Sequence, residues 1–227
     1  MSIDVGVLFT GGKDSSFTLY WMILQGFSVK CLISIVPEYE DSMLYHRPIE
    51  DILHLQAESA GIPLIVEHVS KPEQELDALR RALTRAIDYY GIGGVASGAL
   101  LSDYQRMRFS MIAEELGLKS YTPLWRIDQK KYMHELIDAG IKYMIISISS
   151  YGLPHSLLGR IIEDHETVNK VIELAEKYGF NPAFEGGEAE TLVVDAPFFS
   201  RRICIDGVKE ILGPYNSVLR ITRFGYC

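Results

Sequence analysis

Three short stretches of this 227-residue sequence carry side chains suited to chemistry. The first is Thr10-Gly11-Gly12-Lys13-Asp14-Ser15-Ser16. Gly11 and Gly12 lack Cβ, so backbone N–H groups can approach an anion closely and φ can be positive. Thr10, Ser15 and Ser16 add hydroxyl donors, and Lys13 adds a point charge. If the stretch opens a helix, the unpaired N–H groups of the first turn and the positive end of the helix dipole complete a cradle for pyrophosphate. The alternative is a plain glycine turn. The second stretch is Ser102-Asp103-Tyr104-Gln105-Arg106. Ser102 or Asp103 can cap a helix. Arg106 so near a helix start opposes the dipole, which makes sense if an anion binds there; a surface arginine or an ion pair is the plain reading. The third is Glu185-Gly186-Gly187-Glu188-Ala189-Glu190. Carboxylates this close repel unless a cation or a shared proton sits among them. A solvated acidic hairpin tip is the competing reading.

The elements around these stretches alternate. Apolar runs at residues 3–9, 29–36, 63–66, 92–96 and 119–123 read as strands,. Helical patterns at 17–25, 48–60, 72–90 and 104–116 separate them, with Gly26, Gly61, Gly91 and Gly117 at their ends,. Strand and helix in turn predict an α/β fold, a doubly wound, mostly parallel sheet with helices on both faces. The first chemical stretch then falls at the first strand-to-helix junction. In such sheets ligands lie outside the carboxyl ends of the strands. Gly98 and Ser102 follow the carboxyl end of the strand at 92–96.

Around Trp125 the pattern changes. A helix at 129–139 capped by Asp128, a strand at 141–149, a loop at 150–160 and a helix at 163–178 precede a run of strands at 191–194, 201–205, 209–212 and 217–224. Asp206-Gly207 is a hairpin-turn signal. This predicts a smaller C-terminal α+β domain, with the chain divided as 1–124 and 125–227 and the two domains forming a cleft.

Composition narrows the function classes. A hydrophobic fraction of 48% supports a packed core,. No apolar run is long enough to span a bilayer, and the first residues enter a core strand rather than a secretory signal. A net charge of −8 argues against general nucleic-acid binding,. Arg80, Arg81 and Arg85 follow Glu73, Glu75 and Asp77 on one helix and read as a solvated face,. Cys31, Cys204 and Cys227 form no CxxC and no metal spacing,. They are expected as reduced, inert core or tail residues of a cytoplasmic protein.

The first stretch is neither the Walker loop nor the dinucleotide Gly-x-Gly-x-x-Gly. It resembles the PP-loop, Ser-Gly-Gly-x-Asp-Ser, of the ATP pyrophosphatase superfamily, with Thr10 in place of the usual Ser. The resemblance implies ATP cleaved between its α- and β-phosphates, Asp14 helping to hold Mg²⁺, and adenine at the end of the second strand near Ile35, read by backbone groups.

Taken in order, that loop, Ser102-Asp103-Tyr104-Gln105-Arg106, Pro123-Leu124-Trp125-Arg126, Leu158-Gly159-Arg160 and Glu185-Gly186-Gly187-Glu188-x-Glu190-Thr191 are similar to the diphthine–ammonia ligase family over essentially the whole chain. Ala183-Phe184 and Ala189 depart from the residues that family often has there. The resemblance implies amidation of diphthine, a modified histidine of translation elongation factor 2, with ammonium as nitrogen source. ATP would pass through an acyl-adenylate to AMP and pyrophosphate. Thr10, Gly11, Gly12, Lys13, Asp14, Ser15, Ser16, Ile35, Gly98, Ser102 and Asp103 are then the candidate nucleotide contacts. Lys13, Asp14, Arg106, Glu185, Glu188 and Glu190 are the candidate catalytic residues, and Asp14 is the metal ligand. The acidic triplet has two open roles, base toward ammonium or partner to the substrate's trimethylammonium, with tyrosine or Trp125 faces adding cation–π contact. His46 and His155 are each as readily loop residues as ligand contacts. The sequence allows a homodimer. Two other readings stand beside this one, another AMP-forming ligase acting on a small molecule or tRNA, and a non-catalytic ATP sensor.

Overall fold

The computed structural model describes residues 2–39 and 49–227. His46, like the rest of the 40–48 segment, lies outside the described residues. The chain divides into two compact units, Met1–Trp125 and Arg126–Cys227.

The first unit alternates as the apolar periodicity dictates. It runs β1 (Asp4–Leu8), α1 (Lys13–Leu24), β2 (Ser28–Pro37), α2 (Glu50–Ala60), β3 (Leu64–Val69), α3 (Glu75–Tyr90), β4 (Gly94–Ala96), α4 (Asp103–Glu115) and β5 (Lys119–Tyr121). A short 3₁₀ turn, Pro72–Gln74, leads into α3. The strands pair in the order β3-β2-β1-β4-β5, and every pairing is parallel. The order reverses between β1 and β4, so the carboxyl ends of those two strands flank the switch point where open α/β sheets bind ligands.

Helix boundaries follow local chemistry. Gly61 and Gly91 end α2 and α3 in the left-handed region. Ser102 Oγ caps α4 by accepting from Gln105 N–H at 3.3 Å. One core cluster joins Leu8, Cys31, Ile33, Ile35, Ile65 and Val69 of the sheet to Ala78, Leu79, Ala82, Leu83 and Ala86 of α3 and to Phe109, Ile112 and Ala113 of α4. Burying a single such aliphatic side chain is worth about 1.5–3 kcal/mol, so this layer anchors the strand ends that carry the chemical residues.

The second unit is α+β. It contains α5 (Gln129–Asp138), β6 (Lys142–Ser149), β7 (Ile161–Ile162), α6 (His165–Tyr178), β8 (Ala189–Asp195), β9 (Ile203–Ile211) and β10 (Asn216–Tyr226). Sheet order is β7-β6-β10-β9, β8 also pairs with β6, and the pairings are antiparallel.

Two expectations fail here. Asp206-Gly207 is not a turn but the middle of β9, opposite a register shift between Ile221 and Arg223 of β10. A glycine inside a strand pattern often marks a bulge. The turn falls instead where Gly213 and Pro214 lie, closed by Leu212 N–H donating to Asn216 C=O at 2.9 Å. The cysteines are also not all reduced. Cys204 and Cys227 are disulfide-bonded, with Cα atoms 5.2 Å apart. Cys204 faces Gly225 across the ladder and is exposed, so the end of β10 carries Cys227 back to it. The long hairpin that brings them together has no signature in the spacing of the cysteines. Cys31 alone is free; it is buried, and burial pushes its thiol up to about 12.

Candidate active site

The loop between β1 and α1 is built around a backbone that no side chain could share. Gly11 adopts φ +75°, and a Cβ on it would lie 2.3 Å from Gln56 Oε1. Gln56 is fully buried on α2, and its Nε2 donates to Gly11 C=O at 3.0 Å. Gly12 is the N-cap of α1, and no side chain caps that helix. The first-turn N–H groups of an uncapped helix are the donors that an anion takes up.

Hydroxyls and charges ring this helix start. Ser15 Oγ donates to Gly12 C=O at 3.1 Å and accepts from Thr10 N–H at 3.2 Å. Thr10 Oγ1 lies 3.3 Å from the same oxygen. Ser16 Oγ is buried and has no hydrogen-bond partner among the described residues. Lys13 Nζ contacts both carboxylate oxygens of Asp14 at 2.9 Å. Lys13 is 3% exposed at the side chain and Asp14 28%, so the ammonium is sheltered and the carboxylate reaches the surface.

Gly98, beyond the end of β4, completes the floor. A Cβ there would lie 2.9–3.1 Å from the backbone of Asp14 and Ser15. Its smallness therefore serves close packing of the segment after β4 on the first turn of α1. The buried Ser97 Oγ beside it also has no partner among the described residues. On β2, Phe9 N–H donates to Ile33 C=O at 2.8 Å. Parallel ladders alternate in the direction of their polar groups, so Ile35 N–H and C=O point to the β1 side one step beyond that bond, while the Ile35 side chain is 2% exposed in the core,.

Arg106 does not stand alone at the start of α4. Its Nη2 donates to Asp103 Oδ1 at 3.0 Å, and its guanidinium lies 4.7 Å from the centre of the Trp125 ring. The ion pair offsets the unfavourable dipole position, and the stack fixes the plane of the guanidinium. Arg80 pairs with Asp77 and Glu115, while Arg81 and Arg85 pair with Glu67, so that helix offers compensated charge rather than a basic patch.

In the second unit the acidic stretch is an ordered loop. Glu188 folds back on its own backbone: Oε1 accepts from Asn181 N–H at 2.9 Å and Oε2 from Gly186 N–H at 2.8 Å. Its C=O accepts from Ser149 N–H at 2.8 Å. Phe184 takes φ +64° to make the turn, a conformation uncommon outside glycine,. Glu185 is half-buried at the loop's start and Glu190 is exposed on β8, where strand alternation turns Ala189 inward. His155 Nδ1 lies 2.9 Å from Ser217 Oγ.

Among the described residues no group of three or more His, Cys, Asp or Glu side chains is arranged to hold a metal. A lone carboxylate beside a phosphate-suited loop still fits Mg²⁺, which is held through one or two carboxylates and the phosphates of its substrate. A helix start without a side-chain cap, the sheltered ammonium and the buried Ser16 and Ser97 hydroxyls, which have no partner among the described residues, fit a nucleoside triphosphate. Gln56 was not among the expected site residues. Its only signal in the sequence is a polar residue on the apolar stripe Ile52, Leu53, Ala57 of α2.

Residues 3–120 match the family model described as the diphthamide synthase N-terminal domain, and residues 128–224 match the diphthamide synthase C-terminal domain. The chain belongs to the diphthine–ammonia ligase family. A diphthine–ammonia ligase of Danio rerio is 31% identical over 224 residues, 90% of this chain and 87% of that protein. The Homo sapiens member is 30% identical over 92% of this chain and 85% of its own length. The Schizosaccharomyces pombe member is 32% identical over 90% of this chain, which spans only 36% of that longer protein. Among solved structures, the chain is similar to one described as a predicted subunit of tRNA methyltransferase from Methanocaldococcus jannaschii, 19% identical with a TM-score of 0.41, covering 86% of this chain and 98% of that one. Within the family frame, no helix among the described residues is long and apolar enough to cross a membrane.

Proposed function

We propose that this protein joins ammonia to the carboxylate of diphthine on translation elongation factor 2, converting ATP to AMP and pyrophosphate through an acyl-adenylate. The observation that supports the reading is the match to both domains of the family along nearly the whole chain, with the glycine loop at the head of the first. We assign ATP binding to the first unit and the modified histidine to the second, and we place the reaction in the cytoplasm.

Amide formation from a carboxylate at neutral pH needs an activated leaving group, and adenylation supplies it. Backbone N–H groups at the start of α1, with Thr10, Ser15 and Ser16, bind the pyrophosphate portion. Ser102 and Asp103 frame the nucleotide from the start of α4. Gly98 keeps that side of the loop open to close packing. Lys13 stabilises the negative charge that develops on pyrophosphate, an effect strengthened by its burial. Mg²⁺, when bound near Asp14, supplies further charge neutralisation on the phosphates. Arg106, held planar on Trp125, adds a second cation. Ile35 presents its backbone donor and acceptor to adenine.

Attack on the acyl group requires neutral ammonia. A carboxylate that binds ammonium and accepts its proton contributes about 10²–10⁴-fold. We assign this role to Glu185, half-buried at the start of the loop, or to Glu190 at the start of β8. Glu188 has both oxygens engaged by backbone N–H groups and acts chiefly by holding the loop.

The test is to incubate the protein with diphthine-bearing elongation factor 2, Mg-ATP and ammonium, and to follow factor mass and nucleotides together. Replacement of hydroxyl by amine on the factor, with AMP formed in step, is the expected result. AMP without that mass change would point to another acceptor. ATP binding without substrate-dependent AMP would sink the enzyme reading.

A further inference from the structure

Three tyrosines outside the residues assigned so far meet in the second unit. Tyr151 lies in the loop after β6, Tyr178 is the last residue of α6, and Tyr215 lies in the turn between β9 and β10. The Tyr151 ring centre is 5.2 Å from that of Tyr178 at 81°, and 5.1 Å from that of Tyr215 at 88°. Two successive near-right angles make a cornered aromatic wall. A small satellite core would bury its rings, yet Tyr151 is 58% exposed and Tyr215 51%.

The backbone is bent to allow this. Gly152 adopts φ +92°, and a Cβ there would lie 2.3 Å from the Tyr178 ring. Any other residue would be strained in conformation and driven into the aromatic group. The three loops also converge on the acidic one. Ser149, two residues before Tyr151, donates its N–H to Glu188 C=O and faces Asn216, the neighbour of Tyr215. Asn181, three residues after Tyr178, donates its N–H to the Glu188 carboxylate.

We propose that Tyr151 and Tyr215, backed by Tyr178, form a receptor for a quaternary ammonium group. Aromatic faces attract cations through the ring quadrupole. Lys177 Nζ already lies 5.0 Å from the centre of the Tyr178 ring, so that ring has a resident cation and the open faces belong to the other two. A bare ammonium is strongly hydrated and small; an alkylated one loses less hydration and touches more ring surface, and aromatic cages recur where such ligands are bound. The carboxylates of Glu185, on the loop to which these segments are tied, and of Glu190, at the start of β8, favour a positive ligand. Resting on the proposed function above, the ligand is the trimethylammonium of diphthine, and the receptor holds the modified side chain while its carboxylate reacts.

The test uses the intact protein and two probes. Tetramethylammonium is expected to shift the aromatic NMR resonances of Tyr151 and Tyr215, while tert-butanol, neutral and similar in shape, does not. Tyr151→Leu and Tyr215→Leu lose the response, and Tyr151→Phe and Tyr215→Phe keep it, because the ring and not the hydroxyl binds. Equal response to both probes, or none to tetramethylammonium, would overturn the receptor. In the amidation assay each leucine variant raises KM for the diphthine-bearing factor by about 2- to 30-fold, with KM for ATP unchanged. An unchanged KM for the factor would overturn the assignment to diphthine. Tetramethylammonium binding by a wild-type protein that amidates nothing would sink the ligase reading and leave the receptor standing.

Discussion

Gln56 Nε2 donates to the carbonyl of Gly11 at 3.0 Å, so a fully buried side chain on α2 fixes the backbone of the glycine loop. The contact is mutual, since the space a Cβ on Gly11 would need is filled by Gln56 Oε1. Gln56→Leu keeps the volume and removes the donor. Leaving a buried carbonyl without its partner costs about 1–3 kcal/mol. If that strain is relieved by movement of the loop, affinity for an ATP analogue falls by roughly 5- to 150-fold. Calorimetric titration beside a thermal melt checks this. A lowered Tm with unchanged affinity would reduce Gln56 to a packing residue. Gly11→Ala is expected to abolish nucleotide binding, because it adds both a left-handed alanine and a collision.

The Lys13–Asp14 pair should respond unequally to removal of its two members. Lys13 is almost wholly buried and Asp14 is not. Taking the carboxylate from a sheltered ammonium disturbs charge in a lower dielectric than taking the ammonium from a carboxylate that reaches water. Asp14→Ala leaves the sheltered ammonium without this carboxylate, so it should lower Tm markedly. Lys13→Met leaves a carboxylate that reaches water and should melt nearer to wild type, while slowing AMP formation at saturating ATP by orders of magnitude. Equal loss of stability in the two variants would argue against this asymmetry.

Much of the first unit is legible in the sequence. In the first unit β1 to β4 are largely apolar runs, β5 (Lys119-Ser120-Tyr121) is not, and each helix ends on a glycine or begins on a cap, so local chemistry and global fold mostly agree. The turn between β1 and α1 is legible because Gly11, at φ +75°, takes a conformation that favours glycine,. Long-range partners were not legible. Gln56 looks like any polar residue, and its role appears only when α2 packs on the loop. The acidic triplet suggests repulsion, whereas backbone N–H groups supplied by Asn181 and Gly186 satisfy Glu188. Asp206-Gly207 imitates a turn, whereas Gly207 serves the close approach of β10: a Cβ there would lie 2.7 Å from the Arg220 carbonyl oxygen,. The disulfide depends on a hairpin whose length the sequence does not announce.

Cysteine chemistry should therefore divide cleanly. The Cys31 thiol is buried and pushed up to about 12 by desolvation, so its thiolate is scarce at neutral pH,. Cys204 and Cys227 are joined and both exposed. Alkylation of the native, unreduced protein should add no label. Mild reduction without denaturant should expose the Cys204 and Cys227 thiols to labelling and leave Cys31 silent until the fold is lost. Intact-mass measurement reads the count directly. Labelling of Cys31 in the folded protein would contradict its burial, and full labelling before reduction would show the disulfide to be absent in solution.

Asp164 gives a pH dependence with a definite sign. It caps α6: Oδ1 accepts from Thr167 N–H at 2.7 Å, and Oδ2 accepts from Thr167 Oγ1 at 3.1 Å. The Thr167 N–H, above all, holds this carboxyl below its ordinary range, with the Thr167 hydroxyl and Arg160 acting in the same direction. The folded state then binds this proton less readily than the unfolded chain. The stabilisation is complete above the unfolded value and is lost as pH falls through the lowered folded one. Asp164→Ala removes the cap and should cost about 1 kcal/mol at neutral pH. The Tm gap between wild type and this variant should narrow on acidification as the wild-type carboxylate protonates. Asp164→Asn, which can still accept from Thr167 N–H, should sit between the two at neutral pH and show less of the acid-dependent loss. A gap that stays constant from neutral pH into the acid range would mean that the cap acts through shape alone, and that the charge on Asp164 contributes nothing to the start of α6.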